Sequence, residues 1–315
     1  MKILVTGAFG NIGSMLLGKL LSRGHEITAF DLENAANKEV QQRYKHDIET
    51  AWGDICDKES IRPHIENKDA ILHFAALIPP MTETHPDIAE RINIGGTRNL
   101  LELINESDAN PVVVFTSSFA VWGHNQKSPP PRTVSCPLVA TDNYSRHKIE
   151  CEKMVRSQNN PWVILRIGAC FDTRNRHIEK HSIRMMLDTE ANSRIEYIHP
   201  ADVATAAANA IERKEAHNKL HLIGGGKSCQ ITQMDMVNTL LGAAGFSLKE
   251  KDFGNNPFYS DWMDTSESQR ILEFQHNSFR VLRDDLFDSL KYIRPFVRPI
   301  SGIASWGFVK WARSG

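Results

Sequence analysis

The chain has 315 residues, with 37 Lys and Arg against 38 Asp and Glu and a formal net charge of −1. Hydrophobic residues make up 41% and charged residues 24%, a balance that excludes disordered, collagen-like and disulfide-scaffold classes and gives no whole-chain footprint for nucleic acid. At ~150 residues per domain, the length allows one large domain or two modest ones.

The chain opens on a β-branched run, Lys2–Thr6, that ends in glycine. Residues 11–23 then carry Ile12, Met15, Leu16, Leu20 and Leu21 at helical spacing, with Gly24 as the stop. Residues 25–30 read as a second strand, and 70–76, 112–116 and Trp162–Ile167 as three more of buried-strand length. Helical patterns fill 88–105 and 144–158. Strands that alternate with helices predict a doubly wound α/β fold with a parallel sheet. The second half is less regular. Residues 172–193 read as polar and irregular, 200–214 as a helix, Lys219–Ile223 as a strand and 231–244 as a helix. Pro129, Pro130 and Pro131 mark a stiff loop.

The five cysteines, Cys56, Cys136, Cys151, Cys170 and Cys229, show no CxxC spacing, which fits a reducing compartment and argues against a zinc ribbon. The first residues lack the pattern of a signal peptide, and no run approaches ~20 apolar residues. The expected location is the cytoplasm.

Two clusters carry chemistry. The segment Thr6-Gly7-Ala8-Phe9-Gly10-Asn11-Ile12-Gly13 lies between the first strand and the first helix. In that context Gly7 permits the tight turn, Gly10 lets a pyrophosphate approach the backbone, and Gly13 lets the helix pack close to the sheet. Asp31 ends the second strand, where a carboxylate accepts hydrogen bonds from the ribose hydroxyls of NAD and repels the 2′-phosphate of NADP. In the second cluster, Tyr144 and Lys148 stand at i and i+4 on one helix face. Thr116, Ser117 and Ser118 end a strand at the side where such sheets hold their ligands. A nearby ammonium favours phenolate, so Tyr144 can relay the proton of a reacting hydroxyl.

Together with GDICD at 53–57, HFAAL at 73–77, NIGGT at 93–97, TSSFAVWG at 116–123, YSRHK at 144–148 and YIHPADVA at 197–204, these motifs resemble the extended short-chain dehydrogenase/reductase superfamily, also called the NAD-dependent epimerase/dehydratase family. The resemblance covers roughly the first two-thirds of the chain and fades after Gly226. It implies a Rossmann fold over 1–170 and a small C-terminal α/β substrate lobe over 171–315, interleaved with Rossmann elements returning around 195–223. It implies NAD as the cofactor and a small-molecule substrate. It implies catalytic roles for Ser118, Tyr144, Lys148 and Asn93, with Lys148 lowering the tyrosine pKa. Cofactor contacts then fall on Gly7, Phe9, Gly10, Asn11, Ile12, Gly13, Asp31, Asp54, Ile55, Ala75, Ala76, Thr116, Tyr144 and Lys148.

Departures from the family pattern narrow the reaction. Phe119 and Ala120 follow Ser118, where dehydratases carry an Asp-Glu pair and decarboxylases a Glu. Ala169 stands where nucleotide-sugar enzymes show asparagine. The preferred expectation is net oxidoreduction at a secondary alcohol carbon. The alternatives are a nucleotide-sugar epimerase and a non-catalytic dinucleotide sensor. A homodimer is expected by analogy. His177 and His181 have metal-binding spacing but no evident third ligand, and Arg174, Arg176, Arg184 and Arg194 are a candidate anion site or, preferably, a solvated basic loop. His199 and Asp202 are expected to be structural. The tail 292–315 mixes aromatic and basic residues, a composition that suits either weak membrane-surface contact or, preferably, packing on the body or a second subunit.

Overall fold

A computed structural model describes residues 1–171, 180–289, 292 and 301–314. The strands in chain order are β1 (Lys2–Thr6), β2 (Glu26–Asp31), β3 (Glu49–Trp52), β4 (Ala70–His73), β5 (Val112–Ser118), β6 (Trp162–Ile167), β7 (Arg194–Glu196), β8 (Lys219–Ile223) and β9 (Gln230–Thr232). Seven of them form a parallel sheet in the order β3-β2-β1-β4-β5-β6-β8. Strand order reverses between β1 and β4, so a crevice opens at their C-terminal ends. The apolar runs of β1, β4, β5 and β6 are buried because helices cover both faces.

One face packs Leu16, Leu17 and Leu20 of the first helix, Asn11–Leu21, against the alanine-rich helix Pro200–Glu212. Small alanines let these two helices approach closely. The other face packs Leu100 and Ile104 of helix Gly96–Glu106 with Cys151 and Val155 of helix Asn143–Arg156. A smaller lobe gathers around Ile195, Tyr197, Ile231, Met236 and Phe253, with antiparallel β7 and β9 at its centre.

Several elements differ from the sequence reading, among them strand β9, which occupies the start of the helix expected over 231–244. Residues Lys180–Asp188, read as irregular, form a helix. Its apolar positions, Ile183 and Leu187, sit one helical turn apart and are buried in the small lobe. Strand β3 was not expected. It pairs only with β2 at the sheet edge, and only Ala51 of its four residues is buried, so it lacks an apolar run. The pattern over 88–105 is broken by a π-helical turn, Arg91–Gly95, between Pro86–Glu90 and Gly96–Glu106.

Beneath the sheet's C-terminal edge lies a buried ion pair. Arg166 on β6 binds Glu152 through two bonds of 2.8 Å, and Ser117 donates to the same carboxylate at 2.6 Å. Both charged side chains are at most 2% exposed. Their desolvation is offset only while both are present. Glu152→Ala leaves the guanidinium unpaired and is expected to cost ~3–5 kcal/mol of folding stability, read as a lower urea midpoint with an unchanged m-value.

Candidate active site

The turn after β1 is built for close approach of backbone. Gly7 has φ +67°, and a Cβ there would lie 2.6 Å from the Ala75 nitrogen. A Cβ on Gly13 would lie 2.3 Å from the Gly7 carbonyl oxygen. At Gly10, by contrast, a Cβ would meet only the Gly7 oxygen, at 3.3 Å. The first helical turn has no side-chain cap and no acidic residue. Its N–H groups and positive dipole end are therefore left for an anion. The Asn11 side-chain oxygen is buried without a hydrogen-bond partner. Ile12 packs on the core beneath the turn.

Asp31 closes one side of this cradle. Its carboxylate accepts from the Phe9 N–H at 2.9 Å, the Leu32 N–H at 2.8 Å and the Asn37 side-chain amide at 3.1 Å. Burial pushes its pKa up, and these three bonds pull the other way. The nearby Lys38 makes an exposed ion pair with Glu33 at 2.8 Å. Further along the crevice, the Asp54 carboxylate is exposed and accepts from the Cys56 N–H at 2.9 Å. Ile55 is buried against Gly96, where a Cβ would lie 2.7 Å from its side chain. Ala75 and Ala76 follow β4, and the Ala75 N–H reaches the Thr6 hydroxyl at 3.4 Å. A glycine floor, open N–H groups, an orphaned amide oxygen and a carboxylate at the strand end fit a dinucleotide.

The second cluster forms at the end of β5. The Ser118 side chain lies within interaction reach of the Tyr144 phenol, and its hydroxyl accepts from the Ala120 N–H at 3.2 Å. Lys148 donates to the Thr116 carbonyl at 2.7 Å and lies 5.7 Å from the Tyr144 ring centroid. Helix Asn143–Arg156 can start just before Tyr144 because Asp142 accepts from the Ser145 N–H at 2.7 Å, completing a capping box. Asn93, on the π-helical turn, exchanges two bonds with the Leu77 backbone, at 2.8 and 2.9 Å. These bonds fix the amide between the strand-end loop and the helix.

Burial dominates the electrostatics of this pair. Burial pushes the Tyr144 phenol up to about 12, against a lowering by the Ser118 hydrogen bond. Burial pushes Lys148 down to about 8. The ammonium is committed to the Thr116 carbonyl rather than to the phenol, so Tyr144 is a neutral acid in the protein alone.

Two buried histidines escaped the sequence reading. His73 bridges Thr6 at 2.7 Å and Thr97 at 3.0 Å. Thr97 itself donates to the Asn93 carbonyl at 2.6 Å, so it accepts from His73 Nε2–H and the imidazole is neutral. His147, inside YSRHK, stands 3.3 Å from the Asn93 amide nitrogen. The Arg146 guanidinium faces the other ring nitrogen at 3.2 Å, and because both neighbours are donors the neutral ring accepts from one of them. Burial, then Arg146, push its pKa down. A histidine in the core beside two threonines and an asparagine has no sequence signature, because the partners come from different strands and helices.

The remaining candidates resolve as follows. His199 caps its helix by accepting from the Ala201 N–H at 3.1 Å. Asp202 accepts from the backbone of His276 and Asn277 and from the Asn277 side chain, so both are structural. Arg194 is held by Asp261 at 2.7 Å, and Arg184 lies 3.7 Å from Asp188. Arg174, Arg176, His177 and the His181 side chain lie outside the described residues. Among the described residues no cluster could hold a metal. Cys170 is half-buried and packs against the main core. In the tail, Phe308 packs on Phe246 at 4.8 Å and Ala312 is buried, while Trp306 and Trp311 are 67% and 48% exposed. No described helix is long and apolar enough to cross a membrane.

This geometry has known counterparts. Residues 3–224 match the model of the NAD dependent epimerase/dehydratase family. The chain belongs to that family, whose NAD-dependent enzymes include dehydrogenases, epimerases and dehydratases. Among curated relatives, 3 beta-hydroxysteroid dehydrogenase/Delta 5-->4-isomerase of Mycobacterium tuberculosis is 29% identical over 163 residues, 50% of this chain and 43% of that enzyme. The chain thus matches less than half the length of that relative. UDP-glucose 4-epimerase of Lacticaseibacillus casei is 27% identical over 271 residues, 76% of this chain and 80% of that enzyme. Among solved structures, UDP-glucuronic acid 4-epimerase of Bacillus cereus, with UDP-glucuronic acid and NAD, aligns with a TM-score of 0.75 at 22% identity. That alignment covers 94% of this chain and 100% of the other. At that identity the likeness shows the fold.

Two measurements test the site. Asp31→Ala is expected to weaken NAD binding at least tenfold and to narrow the preference over NADP, read by fluorescence titration with both dinucleotides. His73 has its pKa pushed from 6.5 down to about 3 by burial, then Lys148. The unfolded chain therefore takes up this proton first as pH falls. Its contribution is full above pH 6.5 and is lost toward pH 3, at roughly 1.4 kcal/mol per pH unit. Urea denaturation between these limits should show that slope, and His73→Gln should flatten it.

Proposed function

We propose that the protein transfers a hydride at a secondary alcohol or ketone carbon, with Tyr144 relaying the hydroxyl proton. The observation that carries this reading is the grouping of Ser118, Tyr144 and Lys148 at the end of β5, beside a loop that fits NAD. Oxidation of the alcohol breaks its C–H bond as a hydride and its O–H bond as a proton, and forms the ketone. NAD, when bound, supplies the hydride acceptor, or the donor in the reverse direction. Ser118 orients the reacting oxygen by donating a hydrogen bond to it. Tyr144 takes the proton when the alcohol is oxidised and returns it when the ketone is reduced. Its pKa near 12 in the protein alone suits it to donate, so ketone reduction is the direction for which the side chain is already in the required form. Lys148 holds the floor of the site through Thr116, and its position one turn from Tyr144 suits a ribose hydroxyl. Asn93 keeps the loop after β4 in place.

Net oxidoreduction is preferred because Phe119 and Ala120 supply no acid and base for elimination, and because Arg194 is consumed by Asp261. The longer alignment with a UDP-glucose 4-epimerase favours one second reading, transient reduction followed by return of the hydride to the other face. The proposed setting is a cytoplasmic homodimer.

A paired assay separates these readings. The protein is incubated with NAD and secondary alcohols, sugar acids or nucleotide sugars, with NADH absorbance and product NMR read together. Net NADH is expected. An inverted stereocentre without NADH would replace the oxidoreductase by an epimerase. Tyr144→Phe should lower kcat at least a hundredfold while NAD binding survives, and unchanged turnover in that variant would remove Tyr144 from the chemistry.

A further inference from the structure

The small lobe reaches the candidate site through one side chain that the reaction above does not use. Tyr259 lies in the loop before Ser260 and Asp261, far in sequence from every motif. Its ring centroid is 6.5 Å from that of Phe119, the residue directly after Ser118. It stacks on His124 at 6.5 Å and 14°, and on Phe258 at 4.6 Å and 30°. It is within electrostatic reach of Tyr144 and Asp142. Among the described residues its hydroxyl has no hydrogen-bond partner. The loop is held in place from below. Asp261 is fully buried and pairs with Arg132 at 3.1 Å and Arg194 at 2.7 Å. Gln126 accepts from the Arg194 N–H at 2.9 Å and its amide bonds the Ser260 carbonyl. The wall is therefore preorganised, and its two arginines are spent on holding it.

Apolar side chains flank Tyr144, beside the Glu83 carboxylate that accepts from the Tyr144 N–H at 3.3 Å. Ile78 and Met81 are exposed on the segment that joins the Tyr144 helix through Thr82 and Asn143. Leu138 and Val139 are exposed on the other side, where Val139 bonds the Val121 backbone two residues before Gly123. A ligand bearing a diphosphate would meet carbon side chains, and guanidiniums already paired. An apolar ring would meet aromatic faces and bury surface on both sides.

We propose that Tyr259 is the specificity-determining residue of the site, forming with Phe119 and His124 an aromatic wall that selects an apolar, ring-bearing secondary alcohol or its ketone. This rests on the proposed hydride transfer, so binding and turnover are measured separately. The aromatic ring supplies the contact area, and the lobe places it beside Phe119, the residue directly after Ser118.

The test uses the full chain with NAD and two probes, a polycyclic apolar secondary alcohol and a nucleotide sugar. Binding is read by calorimetry on the Tyr144→Phe background, and turnover by NADH absorbance with Tyr144 present. Tyr259→Ala is expected to weaken binding of the apolar alcohol at least tenfold and to raise its KM similarly, with NAD affinity within twofold of wild type. Tyr259→Phe keeps the ring and is expected to stay within threefold on both measures. Unchanged alcohol binding in Tyr259→Ala, or tighter binding of the nucleotide sugar by the Tyr259 protein, overturns the proposal. Tyr259-dependent alcohol binding without turnover or inversion supports the wall and overturns the hydride-transfer reading instead.

Discussion

The close approach of the turn at Gly7 and Gly13 to the backbone after β4 is the constraint on which the site depends. No side chain fits between Gly7 and the Ala75 nitrogen, or between Gly13 and the Gly7 oxygen. With those spaces empty, the first helix begins directly over the ends of β1 and β4 and points uncapped N–H groups across the crevice. The same approach sets Phe9 against Asp31, which ties the loop to the end of β2. Phosphate recognition and ribose recognition are thus parts of one packing arrangement.

A second layer supports the chemistry from behind. Ser117 and Ser118 are neighbours on β5 and point to opposite faces, as alternate strand residues must. Ser118 meets Tyr144, while Ser117 meets the buried Glu152–Arg166 pair. Glu152 lies on the same helix as Tyr144 and Lys148, so the ion pair anchors the helix that carries the candidate acid to β6, and the Ser117 hydroxyl ties it to the strand that carries Ser118. On the other side, Asn93 stands on a π-helical turn and is held by Leu77 and His147. π-Helical turns recur at functional sites because the inserted residue turns a side chain out of the regular helical face.

The electrostatics of the pair follow from burial. Lys148 is buried and Tyr144 half-buried, so each is driven toward its neutral form, a phenol held high and an amine held low. The sequence spacing alone suggested that the ammonium would stabilise phenolate. The fold gives the ammonium a different partner, the Thr116 carbonyl, and leaves the phenol as an acid. A positive cofactor would change that balance, so protonation and cofactor binding are linked at this site.

The glycine positions, Asp31 at a strand end, the Tyr144–Lys148 spacing and the alternation of strands and helices were legible in the sequence because each is a local pattern. A turn, a strand end and one helical turn are decided by residues within a few positions of one another. The edge strand β3 was not legible, because its side chains are half exposed and show no apolar run. Nor were His73, His147, the Glu152–Arg166 pair or Asp261, since their partners lie on other elements. The resemblance faded after Gly226, and that part of the chain supplies Tyr259 and its support. The sequence by itself determined the sheet, the dinucleotide loop and the candidate proton relay. Tertiary structure alone decided which charges are paired, which titratable groups are buried and which small-lobe ring packs near Phe119, because burial and long-range contact set those properties.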